Sequence, residues 1–131
     1  MDALLAAARK GWENAVAGYS GFRVGAGLRA VVNGAPAIFS GCNIENATYG
    51  LTICAERVAL FKALSEGARE FTDMIIYTTA SEVTPPCGAC RQLLWEFCGD
   101  IPVTARTAGG AEKTWRMAEL LPHAFDRNSL A

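Results

Sequence analysis

The chain has 131 residues, of which 51% are apolar and 19% are charged, and its formal net charge is -1. This length and composition suit a substantial core, and no linker, repeat or shift in composition divides the chain, so we expect a single domain over residues 1–131. The near-neutral charge argues against the strongly basic surface that is typical of nucleic-acid binding, and the apolar runs are too short to span a membrane.

Helices and strands are predicted to alternate along the chain. In chain order, we predict a helix at 2–17, strands at 24–32 and 37–44 joined by an Asn33-Gly34 hairpin turn, a helix at 53–64 capped by Thr52, a strand at 74–79, a helix at 88–97 after Pro85 and Pro86, strands at 101–106 and 113–117, and a short helical turn at 118–121. This order predicts an α/β sandwich built on one mixed sheet.

The cysteine count and the N-terminal sequence indicate the cellular compartment in which the protein is expected. Five cysteines, at positions 42, 54, 87, 90 and 98, are an odd number for a disulfide framework. The N-terminus begins with the acidic Asp2 and lacks the basic segment of a secretion signal. We therefore expect a cytoplasmic protein with reduced thiols, some of them bound to a metal.

Three of these cysteines lie in two short motifs, C-A-E at residues 54–56 and P-C-G-A-C at residues 86–90. Each motif precedes a predicted helix, where exposed N–H groups and the helix dipole favour thiolates. A C-x-x-C pair alone is also typical of a redox pair or of half a structural zinc site. The joint pattern is that of zinc deaminases, in which three protein ligands leave a fourth position for water. We predict a catalytic zinc ion bound by Cys54, Cys87 and Cys90.

The charged residues beside these cysteines have predicted roles. Zinc with three thiolates carries a net charge of -1 and acidifies its water less than a three-histidine site does, so a neighbouring base helps. We predict that Glu56 is this base and proton carrier, although a glutamate at a helix start also bonds backbone N–H groups. Arg57 is expected to offset the excess negative charge, whereas Arg91 either does the same or is a surface cation. His123 is expected to be a surface or packing residue.

Further motifs resemble one known family, the small homotetrameric zinc-dependent cytidine deaminases. The resemblance runs over nearly the whole chain and rests on YSGFRVGA at 19–26, GCNIEN at 41–46, YGLT at 49–52, CAER at 54–57, PPCGACRQ at 85–92 and ELLPHAF at 119–125. It implies a three-layer α/β/α sandwich with a mixed sheet of about five strands, and one zinc ion per subunit. Two positions depart from the family pattern: Gly27, where alanine is common, and Arg23, which lies beside Phe22 at the expected pocket entrance.

The same resemblance implies residues for substrate binding. Phe22 is expected to pack on the pyrimidine ring, and Asn43 and Glu45 to hydrogen-bond the ribose 3′-hydroxyl. The Ala55 N–H is expected to hold the base carbonyl, and the Pro85 carbonyl to receive the exocyclic amine. Phe125 is expected to reach a neighbouring subunit's site in the tetramer, so its role depends on assembly.

The resemblance implies hydrolytic deamination of cytidine and 2′-deoxycytidine to the uridine products in pyrimidine salvage, with ammonia released. Zinc-activated water attacks C4 while Glu56 transfers protons. Two alternatives stay open. One is a deaminase of a modified nucleoside such as blasticidin S. The other is a non-enzymatic zinc-binding module in which Cys42 or Cys98 completes a four-cysteine site.

Overall fold

The computed structural model describes residues 2–130, which form one sheet flanked by helices. The elements are α1 (Ala3–Asn14), β1 (Gly25–Val32), β2 (Ala35–Cys42), a 3-10 turn (Tyr49–Leu51), α2 (Ala55–Ser65), β3 (Glu70–Thr78), α3 (Gly88–Cys98), β4 (Pro102–Thr107), β5 (Glu112–Arg116), α4 (Met117–Leu120) and a second 3-10 turn (Arg127–Leu130). Over this part of the chain, no helix combines the length and the apolar character needed to cross a membrane.

The sheet has five strands in the order β2-β1-β3-β4-β5. Only β3 and β4 are parallel, and the other three pairs are antiparallel, so the predicted mixed sheet is confirmed. The tight β1–β2 connection consists of Asn33 and Gly34, with φ angles of 53° and 77°. Both residues are in the left-handed region that a two-residue type I′ turn requires, which confirms the predicted hairpin.

Successive residues of β3 point to opposite faces of the sheet, as a strand requires. Ile75 and Tyr77 pack against α1, in a small cluster that contains Leu4 and Ala8. Met74 and Ile76 face the larger core, whose helical members come mainly from α2 and α3, among them Ala59, Leu60 and Leu94, with two more from the short α4. One helix therefore covers one face and two helices cover the other, which confirms the predicted α/β/α sandwich.

The first helix ends earlier than predicted, at Asn14 rather than at residue 17. After Ala15 the chain leaves the helix because Val16 pairs with the segment that follows β2. The Val16 N–H donates to the Asn43 carbonyl (3.0 Å), and Val16 forms a bridge with Ile44. Propensity favoured a longer helix, but this tertiary pairing takes the backbone groups instead.

The cap predicted for the second helix is wrong. Thr52 ends the 3-10 turn, its neighbour Ile53 pairs with Ile44, and Cys54 is the residue that caps α2. The pairing of Ile53 holds this stretch extended, so the helix begins at Ala55. The difference matters for function because it places the sulfur of Cys54 at the helix end rather than inside the first turn.

The third strand is longer than predicted, since it begins at Glu70 rather than at residue 74. The additional residues continue the pairing with β1 past a bulge beside Arg29, whose guanidinium forms an ion pair with Asp73 (3.1 Å). Polar residues such as Asp73 interrupt the apolar pattern in this part of the strand, so the prediction began only at residue 74. The remaining predicted boundaries agree with the structure to within two residues.

Glycines allow α1 and the sheet to approach closely. A Cβ atom on Gly25 would overlap the Ala8 carbonyl oxygen and the Trp12 backbone nitrogen. We expect Gly25→Ala to lower the free energy of unfolding by about 3 kcal/mol or more, because both obstructing atoms are backbone. Urea denaturation measures this change. The matched control is Gly18→Ala, where an added Cβ meets nothing within 4 Å, and a Gly25→Ala protein as stable as this control contradicts the packing described.

Candidate active site

Three thiols converge where the N-termini of α2 and α3 meet. Cys54 directly precedes α2, Cys87 directly precedes α3, and Cys90 lies in the first turn of α3. The three sulfurs lie within 4.8 Å of one another, with Cys54–Cys87 at 3.7 Å and Cys87–Cys90 at 3.3 Å. The structure therefore brings together the three cysteines that the sequence predicted as one ligand set.

The backbone around these cysteines explains why the sulfurs meet. Cys54 and Cys87 both have extended backbone, and neither sulfur makes a capping bond to its own helix. Their carbonyls accept the first helical hydrogen bonds, from Val58 (3.1 Å) and Arg91 (2.9 Å). Each sulfur therefore stays at the positive end of a helix dipole, where a thiolate is favoured.

The thiol cluster fits a zinc ion. Three sulfurs that each lie about 2.3 Å from a tetrahedral zinc are separated by about 3.8 Å. The observed separations of 3.7 and 3.3 Å are close to this value. Neither Cys42 nor Cys98 belongs to the cluster. A set of three thiols leaves one tetrahedral position for another ligand, which is the arrangement of a catalytic rather than a structural zinc site.

Arg57 lies against this cluster. Its Nη2 donates to the Cys54 sulfur at 3.6 Å, and its buried Nε has no hydrogen-bond partner among the described residues. Contact with the Cys54 thiolate raises the pKa of the guanidinium further above its usual value. The predicted role of Arg57, to offset negative charge on the sulfurs, is therefore supported by direct contact.

The pKa values of Cys54 and Cys90 are shifted in opposite directions. A hydrogen bond from the Cys90 thiol, followed by those from Arg57 and Cys87, lowers the pKa of Cys54 to about 5. Cys90 donates that bond, is fully buried and faces Glu56, so its own pKa is raised. One thiolate is thus already present near neutral pH in the metal-free protein, which reduces the proton release that metal binding requires.

Glu56 lies beside the sulfurs in the first turn of α2 and is only 5% exposed. Burial raises the pKa of its carboxyl to about 7, and the negative charge on Cys54 adds to this effect. Its own backbone N–H donates to the carboxylate and opposes the shift, as does the positive charge of Arg57. A carboxyl group with a pKa near the working pH is suited to both accepting and donating a proton.

This buried carboxyl has a cost for stability that can be measured. The pKa of Glu56 is about 7 in the folded state, against 4.5 when unperturbed, so folding favours the protonated form. Stability from this group is therefore present at low pH and is lost as the pH rises through 7. We expect metal-free Glu56→Gln to gain about 3 kcal/mol relative to the wild type between pH 4.5 and pH 8. Urea denaturation of both proteins in chelator tests this, and a pH-independent difference between them contradicts it.

The carboxyl group and two of the thiols line a cavity of about 230 Å³. Its lining also includes Phe22, Asn43, Ala55 and Pro85, all predicted from the sequence. Four further lining residues were not predicted as part of a binding site: Val24, Thr52, Ile76 and Thr84. Val24 directly precedes β1 and Ile76 lies near the end of the neighbouring β3, so only the sheet topology reveals that they share a wall. Thr84 could have been suspected from its position beside Pro85.

Asn43 and Glu45 contact the segment that carries Phe22. The Asn43 amide donates to the Phe22 carbonyl (2.8 Å) and accepts from the Val24 N–H (2.9 Å). The Glu45 carboxylate accepts from the Ser20 hydroxyl and from the backbone N–H groups of Ser20 and Tyr19, and these hydrogen bonds lower its pKa. Asn43 lines the cavity, and Glu45 lies outside its lining. A role for Glu45 toward a substrate hydroxyl stays a prediction.

Several residues discussed from the sequence lie away from the cavity lining. Phe125 is exposed and lies in the tail beside α3, where its carbonyl accepts from Gln92. Arg91 donates to the carbonyls of Pro86 (2.8 Å) and Leu120 (3.0 Å), so it is tied to backbone rather than to the thiols. Arg23 turns toward α1 and donates to the Glu13 carbonyl.

Comparison with known proteins agrees with this geometry. Residues 1–104 match the family described as "Cytidine and deoxycytidylate deaminase zinc-binding region". A cytidine deaminase from Sporosarcina psychrophila is 42% identical over the whole of this chain and 95% of its own length. One from Halalkalibacterium halodurans is 46% identical over 86% of this chain and 84% of its own length.

This chain is also similar to a cytidine deaminase of known structure and to a deaminase with a different named substrate. The crystal structure of cytidine deaminase from Burkholderia pseudomallei superimposes with a TM-score of 0.86 at 42% identity, covering 94% of this chain and 97% of that chain. A blasticidin-S deaminase from Bacillus cereus is 30% identical over 80% of this chain and 78% of its own length. The match over residues 1–104 and the thiol cluster agree, and the chain belongs to the cytidine and deoxycytidylate deaminase family and carries its zinc-binding region.

Proposed function

We propose that this protein is a zinc-dependent cytidine deaminase that converts cytidine and 2′-deoxycytidine to uridine and 2′-deoxyuridine with release of ammonia. The observation that carries the proposal is the buried Glu56 beside three converging thiols at one cavity. Cytidine deaminases related over nearly the whole chain support the substrate class. The proposed setting is pyrimidine salvage in the cytoplasm, where the thiols stay reduced, and the proposed unit is one catalytic domain over residues 1–131.

The cavity offers distinct groups for the base and for the sugar. The exposed ring of Phe22 is proposed to stack on the pyrimidine, and Asn43 and Glu45 to bind the 3′-hydroxyl. Ala55 begins α2, so its backbone N–H has no partner within the helix and is available to the base carbonyl. Pro85 lines the cavity and, as a proline, has no backbone N–H, so its only backbone hydrogen-bonding group is the carbonyl. This carbonyl is proposed to accept a hydrogen bond from the exocyclic amine.

Zinc bound by Cys54, Cys87 and Cys90 supplies a Lewis acid that makes water a better nucleophile toward C4. Glu56 takes a proton from the attacking water and delivers it to N3 of the ring, which makes C4 more electrophilic. It then carries a second proton to the exocyclic nitrogen, which leaves as ammonia. Arg57 stabilises the negative charge on Cys54 during these transfers.

A substrate panel tests the proposed function directly. Loss of absorbance is followed with cytidine, 2′-deoxycytidine, cytosine, adenosine and blasticidin S, and zinc content is measured on the same sample. We expect turnover of the two cytidine nucleosides and about one zinc ion per chain. Blasticidin S as the preferred substrate establishes the alternative that the Bacillus cereus relative suggests. Zinc in a four-sulfur shell, without turnover of any compound, establishes the non-enzymatic module.

We also propose that the protein assembles as a homotetramer in which Phe125 reaches a neighbouring subunit's site. The ring of Phe125 is 59% exposed and is absent from the lining of its own chain's cavity, which is consistent with a role across an interface. We expect Phe125→Ala to raise KM about tenfold, because a buried aromatic contact is lost. Kinetics combined with analytical ultracentrifugation test this, and a monomer with full activity contradicts it.

A further inference from the structure

The Phe22 segment, residues 19–24, carries a cavity wall without regular structure. Phe22 is 42% exposed, so side-chain packing alone holds it weakly. The segment also contains Gly21, whose φ of 72° lies in the left-handed region where glycine is favoured. The position of the Phe22 ring therefore depends on the hydrogen bonds made by the surrounding backbone.

Ser20 uses both capacities of its hydroxyl group in this segment. It donates to Glu45 Oε2 at 2.5 Å and accepts from the Phe22 N–H at 3.0 Å. The other carboxylate oxygen, Oε1, accepts from the N–H groups of Tyr19 and Ser20, both at 2.9 Å. The Ser20 hydroxyl thereby connects an ionised carboxylate to the backbone of Phe22.

The far side of Phe22 is fixed by a second group. The Asn43 amide bonds both the Phe22 carbonyl and the Val24 N–H. Asn43 and Glu45 follow the same strand, β2, and are two residues apart. The Phe22 carbonyl is thus bound directly by Asn43, and the Phe22 N–H is bound to Glu45 through the Ser20 hydroxyl. Both connections lead to the short stretch after β2, and Ser20 is the intermediary that belongs to the Phe22 segment itself.

We propose that Ser20 is a positioning residue that orders the Phe22 segment before substrate binds. This inference rests on the proposed function, in which Phe22 stacks on the pyrimidine. Ordering the wall in advance removes part of the entropy cost of binding. Because Phe22 does not take part in proton transfer, loss of the Ser20 hydroxyl acts on KM and leaves kcat nearly unchanged.

The test compares Ser20→Ala with two matched variants. Ser20→Thr keeps the hydroxyl, and Ser65→Ala removes an exposed serine hydroxyl that bonds only a local carbonyl, that of Lys62. We expect Ser20→Ala to raise KM for cytidine about tenfold, the scale of one lost hydrogen bond to a charged group, and kcat to stay within about twofold. Ser20→Thr restores most of the affinity, and Ser65→Ala behaves as the wild type.

A double-mutant cycle shows whether Ser20 acts through Phe22. If it does, adding Ser20→Ala to Phe22→Ala changes KM by less than about twofold, because the ring that Ser20 positions is already gone. Independent effects that multiply in the double variant overturn the positioning role. A fall in kcat equal to the fall in kcat/KM also overturns it, since the hydroxyl then acts in the chemical step.

Hydrogen exchange separates this inference from the proposed function. In the free protein, we expect amide exchange over residues 19–24 to be faster in Ser20→Ala than in the wild type, Ser20→Thr or Ser65→Ala. Unchanged exchange overturns the positioning role whatever the enzyme acts on. If the wild type fails to deaminate cytidine, the proposed function falls, and the exchange measurement still decides whether Ser20 orders the segment.

Discussion

Glu56→Gln is expected to bind zinc as the wild type does and to lose about a thousandfold in kcat with cytidine. The amide has nearly the shape of the carboxyl group but cannot accept and return a proton at neutral pH, and proton transfer by a positioned side chain contributes about 10²–10⁴ to a rate. Loss of a metal ligand does not explain such a result, because Glu56 is not among the residues of the thiol cluster.

Two controls make the result specific. Glu66→Gln changes an exposed glutamate at the opposite, C-terminal end of α2, and this variant is expected to keep full activity. Zinc content, measured on each purified variant, shows whether the metal site survives. A Glu56→Gln enzyme whose kcat lies within about tenfold of the wild type removes Glu56 from the chemical step.

The site was accessible from the sequence because its chemistry is encoded in short motifs. Cys54 and Glu56 are separated by one residue, and Cys87 and Cys90 share one turn, so local geometry places each pair. The helices and strands were likewise predicted from hydrophobic periodicity, which also depends on residues close together in the chain. What brings the two motifs together is the packing of α2 and α3 on one face of the sheet; the joint motif pattern predicted that the cysteines meet, but not this packing.

The features that the sequence did not predict depend on contacts between distant segments. The pairing of Val16 with Ile44 shortens α1, and the pairing of Ile53 with Ile44 moves the cap of α2 to Cys54. Both changes involve the stretch that follows β2. This stretch also carries Asn43 and Glu45, so one piece of irregular chain fixes the end of a helix, the metal ligand and the Phe22 segment together.

The environment of Glu56 shows how position decides between stability and function. At the start of a helix, an exposed glutamate would stabilise the dipole and keep an ordinary pKa. Here the same position is 5% exposed and lies next to Cys54, and the pKa rises to about 7. The protein thus holds a carboxyl group where burial disfavours its charged form, and such perturbed groups are concentrated at functional sites.

Cys90→Ala is expected to abolish both zinc binding and deaminase activity. Cys90 is fully buried beside the sulfur of Cys87 (3.3 Å), and neither of the two remaining cysteines of the chain belongs to the cluster, so no other thiol can replace it. Two remaining thiols bind zinc far more weakly than three, and added zinc will no longer raise the melting temperature as it does for the wild type. Zinc content, activity and melting temperature with and without zinc measure these effects.

The matched control is Cys98→Ala, which removes a thiol of the same helix that lies outside the cluster. If Cys98→Ala or Cys42→Ser loses zinc while Cys90→Ala retains it, the ligand set is different from the one described. If Cys90→Ala and one of the other two variants both lose zinc, the site is closed by four sulfurs and the catalytic interpretation fails, because no position is left for water.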